Sequence, residues 1–347
     1  MTYEVSYFKS TEEDKFYNLI GKLKNETQEK YTHDSLCFWA PQNLLGGYAI
    51  FAHTDEEIAA TCFLTRRDIQ VSGTTYKCYE IGGTNTYPQH QRQGLFSKLV
   101  NTAKAIAFDD PEIQLIYGTP NDRSGPGYKK LGYSFIDQTN SQLIILPRLT
   151  SIFRKKILKK APDVKSSDLP IRREVKSING KIEKLSIDEY IAATRNFRRL
   201  NCASEDYLKS RLNRVNFPGE NLERAYFRVY NKEWSFFLAL KKHKLDFLNL
   251  ILVSECFHDK DSISFSTKLK LIKLASKLTY SDYDGVYLKD QVNVQQSNLL
   301  SYLFSGYVKH RTLPICFLES PSRPSIITEE SSREITSSFQ MTDCDIG

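Results

Sequence analysis

The sequence predicts an α/β protein (α+β, with mixed sheets) that folds as two lobes of similar topology. The chain has 347 residues, and at about 150 residues per domain this length suits two domains. Strand-like and helix-like patterns alternate along it, which is typical of layered α and β structure. The order strand, helix, strand, helix occurs twice and ends each time in Gly-Tyr, at Gly132-Tyr133 and at Gly306-Tyr307. A diverged internal duplication explains this repeat.

The first lobe is predicted to end near Leu146. Period-2 alternation predicts its strands, and apolar residues at helical spacing predict its helices. In chain order these are a strand at 3–8, a helix at 12–23, strands at 48–53, 58–65, 68–71 and 76–86, a helix from Leu95 with Leu99, Ala103 and Ala107 on its apolar face, a strand at 113–117, a helical turn at 128–131 and a closing strand at 142–146.

The second lobe repeats part of this order. Strands are predicted at 222–230, 234–240 and 245–257, a helix at 268–278, a strand at 285–288 and a helix at 296–304. The polar stretch at 320–338 has the composition of a mobile segment. The sequence therefore divides into a first domain at residues 1–147, a basic linker at 148–180 and a second, degenerate domain at 181–347.

Composition excludes several classes of protein. Apolar residues make up 40% of the chain, which excludes a disordered or fibrous protein. The longest apolar run, at 247–253, is interrupted by Asn249 and is far shorter than the roughly 18 residues that cross a bilayer. The first residues lack the basic and apolar regions of a secretory signal, so we expect a cytoplasmic protein.

The cysteines and histidines indicate no metal or disulfide framework. There are seven cysteines and six histidines, all scattered, and no two cysteines form a Cys-x-x-Cys pair. We therefore expect reduced thiols and no metal cofactor.

The positive charge of the chain is concentrated in one stretch. The formal net charge is +7, and residues 148–176 hold ten Lys and Arg against three acidic residues. Two interpretations remain open: a binding surface for a polyanionic small molecule, or a solvated linker. So short a stretch is not typical of nucleic-acid binding.

The loop between the strand at 76–86 and the helix from Leu95 is the candidate for chemistry. It contains Gly94 where the backbone turns, so unpaired amide groups at the helix start can bind an anion such as pyrophosphate. An ordinary tight connection is the alternative.

This loop resembles that of the GNAT acyltransferases. Gln91-x-x-Gly94-x-Phe96, after Pro88, is similar to their Gln/Arg-x-x-Gly-x-Gly/Ala motif, although Phe96 replaces Gly or Ala and its ring should tilt into the core. The resemblance implies acyl-CoA as co-substrate, with main-chain contacts from Asn85 and Thr86 to the pantetheine. The residues that it assigns to the pyrophosphate are Gln91, Arg92, Gln93, Gly94, Leu95, Phe96 and Ser97.

A second motif lies downstream of the loop. Asn121, followed by Tyr128-Lys129-Lys130-Leu131-Gly132-Tyr133, resembles the family's Asn and Tyr-x-x-x-Gly-Phe. The resemblance implies that Asn121 touches CoA and that Tyr128 protonates the leaving thiolate. Packing is the alternative role of Tyr128, because the insertion Ser124-Gly125-Pro126-Gly127 departs from the family pattern.

A finer resemblance is to two-lobed GNAT N-acyltransferases of bacterial polysaccharide gene clusters. It is carried by Leu95-Phe96, by Pro126-Gly127-Tyr128 before Leu131-Gly132, and by Asp343-x-Asp345. It implies that the acceptor is the amino group of a nucleotide-linked sugar, as in anthrose-type pathways.

The remaining candidates lie on or near the predicted strand at 76–86. Glu80 is the candidate general base, with an exposed strand carboxylate as its alternative, and no base is needed if the amine arrives neutral. His90 is expected to be an exposed loop residue, and Cys78 a small core residue.

Two competing functions remain open. One is a GNAT acting on an aminoacyl or peptide amine. The other is a peripheral membrane module, because the stretch 149–161 is amphipathic and basic. We expect no nucleic-acid partner and no membrane contact, and the second lobe, without a glycine loop at 259–266, is expected to bind no CoA.

Overall fold

The structure is a computed structural model of the whole chain. It describes residues 2–9, 11–12, 15, 46–136, 142–147, 172–176, 179–197, 208–209, 212, 224–245, 248–259, 265–279, 283–290, 308–312 and 314–338. Almost all of the predicted helix at 12–23, the helix at 296–304, the amphipathic stretch 149–161 and Asp343-x-Asp345 lie outside these residues.

Nine strands belong to the first sheet and to a short hairpin beside it: β1 (Glu4–Lys9), β2 (Gly47–His53), β3 (Ile58–Arg66), β4 (Ile69–Val71), β5 (Thr74–Tyr76), β6 (Cys78–Thr86), β7 (Leu115–Gly118), β8 (Ser134–Ile136) and β17 (Ile315–Glu319). The first sheet has seven strands in the spatial order β1-β2-β3-β6-β7-β17-β8. Neighbouring strands are antiparallel except β6 and β7, which are parallel. The hairpin, β4 and β5, follows β3.

Helix α1 (Leu95–Asp109) connects β6 to β7 and covers one face of the first sheet. Parallel neighbours require such a crossover. Its buried residues are Leu95, Leu99, Val100, Ala103 and Ala107, which confirms the apolar face that the sequence predicts. A short helix, α2 (Gly125–Lys130), precedes β8.

The remaining elements are β9 (Gln142–Pro147), β10 (Arg172–Val175), β11 (Gly180–Leu185), α3 (Ile187–Thr194), β12 (Arg224–Tyr230), β13 (Ser235–Leu245), β14 (Leu248–His258), α4 (Phe265–Thr279), β15 (Gly285–Asp290), β16 (Val308–Thr312) and α5 (Glu329–Ser338). Eight of these strands form the second sheet, in the order β10-β11-β12-β13-β14-β15-β9-β16. Its one parallel pair is β14 and β15, again connected through a helix, α4, in agreement with the predicted repeat.

Each sheet contains one strand from the other half of the chain. The sequence predicts that the strand at 142–146 closes the first lobe, but β9 pairs with β15 and β16 of the second sheet. Conversely, β17 inserts between β7 and β8 of the first sheet. Alternation identifies a strand but not its partner, because partner choice depends on packing far along the chain. The division at residues 147 and 180 stays a prediction, to which the structure adds this exchange.

Three further features differ from the sequence predictions. Strand β10 lies within the predicted linker, and β11 and α3 were not predicted. The stretch at 320–338, predicted to be mobile, contains helix α5. Its Ile335 is buried in a cluster with Leu115 and Tyr117 of the first sheet and Leu252 and Tyr287 of the second. Burial of that apolar side chain offsets the polar composition that suggested mobility.

No helix among the described residues is long and apolar enough to cross a membrane.

Candidate active site

The candidate site begins where β6 and β7 diverge. Their parallel pairing runs from Cys78 opposite Leu115 to Glu80 opposite Tyr117. One residue beyond this pairing the two strands are still close together, since a Cβ atom on Gly118 would lie 2.7 Å from the Ile81 carbonyl oxygen. Strand β6 continues to Thr86, pairing there with β3. Its other edge, along Gly82 to Thr86, has no strand partner in the described chain, so its peptide groups can bind an extended amide ligand.

A β-bulge lies in this diverging part of β6. Thr61 pairs with Asn85 and Phe63 with Gly82, so Cys62 faces both Gly83 and Thr84. Gly83 has a φ of 56°, the left-handed conformation that glycine adopts in one type of bulge. The Thr61 hydroxyl donates to the Gly83 carbonyl at 2.8 Å. The bulge therefore has a defined geometry, fixed from the neighbouring strand.

The loop after β6 forms an anion cradle, which we define as residues Gln91 to Ser97. A 3-10 turn (Pro88–His90) leads into it, and the Gln91 side-chain amide donates to the Thr86 carbonyl at 3.3 Å. Gly94 has a φ of 73° and precedes α1, whose N-terminus no described side chain caps. Lys98 N makes the first intrahelical bond, to the Gly94 carbonyl. The N–H groups of Gly94 through Ser97 therefore remain available at the positive end of the helix.

His90 anchors the cradle and is not the exposed residue that the sequence predicts. It is 1% exposed. Its Nδ1 lies 3.1 Å from the Tyr3 hydroxyl, and its Nε2 lies 2.9 Å from a Glu57 carboxylate oxygen. The sequence does not reveal this burial, because Tyr3, just before β1, and Glu57, in the turn between β2 and β3, are distant from His90 in the chain.

Phe96 replaces a small residue of the GNAT motif, and its ring fills space beside α2. A Cβ atom on Gly127 would lie 2.6 Å from Phe96 Cε1. The ring packs edge-on against Tyr128, with centroids 5.2 Å apart. This confirms that the ring tilts into the core. With the ring in this position, a side chain at position 127 would fit only if the ring moved.

Tyr128 is buried beside the bulge. Its hydroxyl lies 2.6 Å from the Thr84 hydroxyl, and its ring packs edge-on against Tyr133. Burial raises the pKa of Tyr128 well above its usual value of 10. The phenol is therefore protonated at neutral pH.

Asn121 forms the turn that begins α2. Its side-chain oxygen accepts from the backbone N–H groups of Arg123 and Ser124, at 2.9 and 3.0 Å. Asn121 itself is exposed. The contact with CoA that the resemblance implies stays a prediction.

Glu80 is buried, which is a correction to the exposed strand carboxylate that the sequence left open. It is 3% exposed, and its carboxylate lies 2.6 Å from the guanidinium of Arg67, which is fully buried. On β6 it lies at the last residue pair before the divergence. Both faces of β6 are covered, so even a charged residue is buried there and requires an ionic partner.

The described cysteines near the site behave as core residues. Cys78 is fully buried, as predicted. Burial raises the pKa of the Cys62 and Cys316 thiols to about 12, so neither is a thiolate at neutral pH. Among the described residues, no three His, Cys, Asp or Glu side chains lie together as in a metal site.

Comparison with known proteins agrees with this geometry. Residues 4–136 match the family model described as acetyltransferase (GNAT) domain. No protein with a curated description matches the chain.

Three solved structures share the fold over nearly the whole chain. A probable N-acyltransferase from Enterococcus faecalis V583 has a TM-score of 0.52 at 15% identity, over 92% of this chain and 73% of its own. A GCN5-related N-acetyltransferase from Anabaena variabilis has a TM-score of 0.51 at 11% identity, over 90% and 72%. A tandem GNAT protein from the clavulanic acid biosynthesis pathway has a TM-score of 0.50 at 13% identity, over 93% and 100%.

The cradle, the diverging strands and the family match agree on the same segment. Residues 4–136 match a GNAT acetyltransferase domain, and the chain shares its fold with a tandem GNAT protein.

Proposed function

We propose that the chain transfers an acyl group from acyl-CoA to the amino group of a nucleotide-linked amino sugar. The observation that supports CoA binding is the anion cradle at the end of β6, next to a strand edge without a partner in the described chain. Its amide groups suit a pyrophosphate, and the peptide groups of Asn85 and Thr86 suit the amides of the pantetheine. The thioester supplies an activated acyl carbon and a thiolate leaving group.

Two residues are proposed to handle protons. Tyr128 donates its proton to the departing sulfur, for which its protonated state at neutral pH is suited. Glu80 is the candidate acceptor of the amine proton, through a water molecule. The pairing with Arg67 stabilises its ionised form, and uptake of a proton would weaken that pairing. This favours the alternative, in which a sugar amine arrives already neutral and loses its proton to water after the attack.

The choice of acceptor rests on the finer sequence resemblance. Its two motif segments, Leu95-Phe96 and Pro126-Gly127-Tyr128, are in contact through the Phe96 ring. That contact is a structural reason for them to occur together. The basic stretch at 148–176 also suits an acceptor that carries phosphates. We therefore propose a role in bacterial polysaccharide synthesis of the anthrose type, in the cytoplasm, where acyl-CoA and nucleotide sugars are made.

Product analysis tests the proposal directly. The full chain is incubated with acetyl-CoA and a panel of nucleotide amino sugars, aminoacyl compounds and peptides, and products are identified by mass spectrometry. The same sugars with the amine already acetylated are the matched control. We expect an added acetyl group on at least one nucleotide amino sugar and none on the controls. Transfer only to aminoacyl or peptide amines would refute the sugar acceptor and support the other GNAT function.

A further inference from the structure

The bulge in β6 determines which face of the sheet receives Thr84. Before the bulge, Tyr79 and Ile81 lie in the cluster under α1, whereas Cys78 lies in the cluster on the opposite face. Regular alternation would place Thr84 on the same face as Cys78. The extra residue at Gly83 shifts the alternation by one, so that Thr84 turns towards α1.

On that face Thr84 meets the proposed acid. Its hydroxyl lies 2.6 Å from the Tyr128 hydroxyl and also beside the Cys62 thiol. The other neighbours of the phenol are the rings of Phe96 and Tyr133 and the Cys316 thiol. A thiol is a weak hydrogen-bonding group, so Thr84 provides the strongest polar contact to the phenol oxygen among the described residues.

We propose that Thr84 is a positioning residue that acts through Tyr128. Its hydroxyl donates to the phenol oxygen while the phenol proton passes to the sulfur of CoA. In this step the C–N bond forms and the C–S bond breaks, and the attacking nitrogen, positively charged after the attack, loses its extra proton to water to give the amide. The phenolate, stabilised by the Thr84 hydroxyl, then regains a proton from water. This inference rests on the proposed function, in which Tyr128 is the acid.

A purely structural role for Thr84 predicts something different. If the two hydroxyls only satisfy each other in the core, removing one lowers stability but does not change turnover specifically. If Thr84 acts through Tyr128, removing the Thr84 hydroxyl lowers kcat, and this effect disappears when the phenol hydroxyl is absent. A double-mutant cycle separates these cases.

The experiment uses the full chain with acetyl-CoA and an amine that it accepts. Thr84→Val should lower kcat about tenfold, the effect of losing one hydrogen bond to a developing charge, with the KM for acetyl-CoA changed less than about twofold. Thr84→Ser should restore most of the activity. In a Tyr128→Phe background, Thr84→Val should lower kcat no further.

Controls make each outcome decisive. Thr102→Val is the matched control, because the Thr102 hydroxyl bonds within α1, to the Lys98 carbonyl; its kcat should equal that of the wild type. Thr84→Ala replaces the valine variant if the latter does not fold. An unchanged kcat in Thr84→Val, or a loss that multiplies with that of Tyr128→Phe, overturns the inference while the proposed function stands. A wild-type chain that transfers no acyl group overturns both.

Discussion

The two lobes have the same framework but differ at the position where the first one binds its proposed ligand. In each, a parallel strand pair is connected through a helix, and the first strand of the pair carries a one-residue bulge against its antiparallel neighbour. In β6 the bulge is at Gly83. In β14 the extra residue is Ser254, between Val253 and Glu255. Each sheet also accepts one strand from the other half.

At these equivalent bulges the polar groups have different partners. Ser254 is buried, and its hydroxyl donates to the Ala239 carbonyl of the neighbouring strand at 3.0 Å. Gly83 has no side chain, and its bulge turns Thr84 towards Tyr128. Both lobes thus have a bulge at this position, but the bulge in β6 brings a hydroxyl against a buried phenol, whereas the hydroxyl at the bulge in β14 bonds to the backbone of its own sheet.

The loops that follow the two bulges differ in the same way. After β6 the chain reaches Gly94 and an uncapped helix start. After β14 it reaches Asp259, whose carboxylate accepts from the Ser235 backbone N–H at 2.7 Å. The sequence of this loop, residues 259–266, contains no glycine and begins with a carboxylate, which repels a pyrophosphate. We therefore keep the prediction that the chain binds one CoA, in the first lobe.

The largest expected effect tests the cradle itself. Gly94→Asp should abolish binding of CoA, because it places a negative charge among the amide groups that would hold the pyrophosphate. Isothermal titration calorimetry should show an affinity at least about a hundredfold weaker. Binding with unchanged affinity would contradict the assignment of the cradle.

The hairpin between β4 and β5 offers a matched control for that variant. Gly73 also has a positive φ, 80°, and as at Gly94 a Cβ atom added there would meet nothing within 4 Å. Gly73→Asp therefore has a similar backbone strain at a site far from the cradle along the chain. It should bind CoA like the wild type, and equal loss in both variants would indicate strain rather than charge.

A smaller effect is expected at the buried phenols. Tyr128→Phe should lower kcat about a hundredfold, the usual contribution of a general acid, with little change in CoA affinity. Tyr133→Phe is its matched control, since the Tyr133 ring packs on Tyr128 but its hydroxyl has no hydrogen-bond partner among the described residues. Steady-state kinetics on both variants provide the test, and full activity in Tyr128→Phe would show that Tyr128 only packs.

The residues that sequence reasoning placed well are those whose environment is local. The start of α1 after Gly94 and its apolar face follow from periodicity and one glycine. The sequence predicts an exposed His90 and leaves an exposed Glu80 open, and both are wrong. The two side chains are buried because their partners, Tyr3 and Arg67, come from other parts of the chain. Local patterns do not encode which face of a strand a distant segment covers.

Two features of the site were within reach of the sequence. Phe96 is larger than the residue of the GNAT motif at this position, and Gly127 in the inserted segment is small. A large residue at one position and a small one at the other suggest that the two are in contact. Gly82-Gly83 inside a strand pattern suggests a bulge, which would have pointed to Thr84. The exchange of β9 and β17 was not accessible, because no strand was predicted at β17 and the alternation of β9 does not identify its partner.

The smallest expected effect concerns this exchange. A protease site inserted between residues 160 and 165, in the predicted linker, separates the chain into two fragments. The N-terminal fragment then holds β9 in the second sheet, and the C-terminal fragment holds β17 between β7 and β8. Because each fragment completes the other's sheet, we expect the cut protein to elute as one species in gel filtration, with unchanged kcat.

A variant of β17 shows whether strand exchange is the cause. Phe317 lies at the centre of β17, opposite Tyr117 on one side and Ser134 on the other. Phe317→Pro removes a backbone donor from a strand that is paired on both edges, a position where proline is not tolerated. Both cut proteins should separate in denaturant, and the cut variant should do so at a lower denaturant concentration than cut wild-type protein, because only the exchange of β9 still holds its fragments together. Separation of the wild-type fragments in native buffer would mean that the lobes are joined by the linker rather than by their exchanged strands.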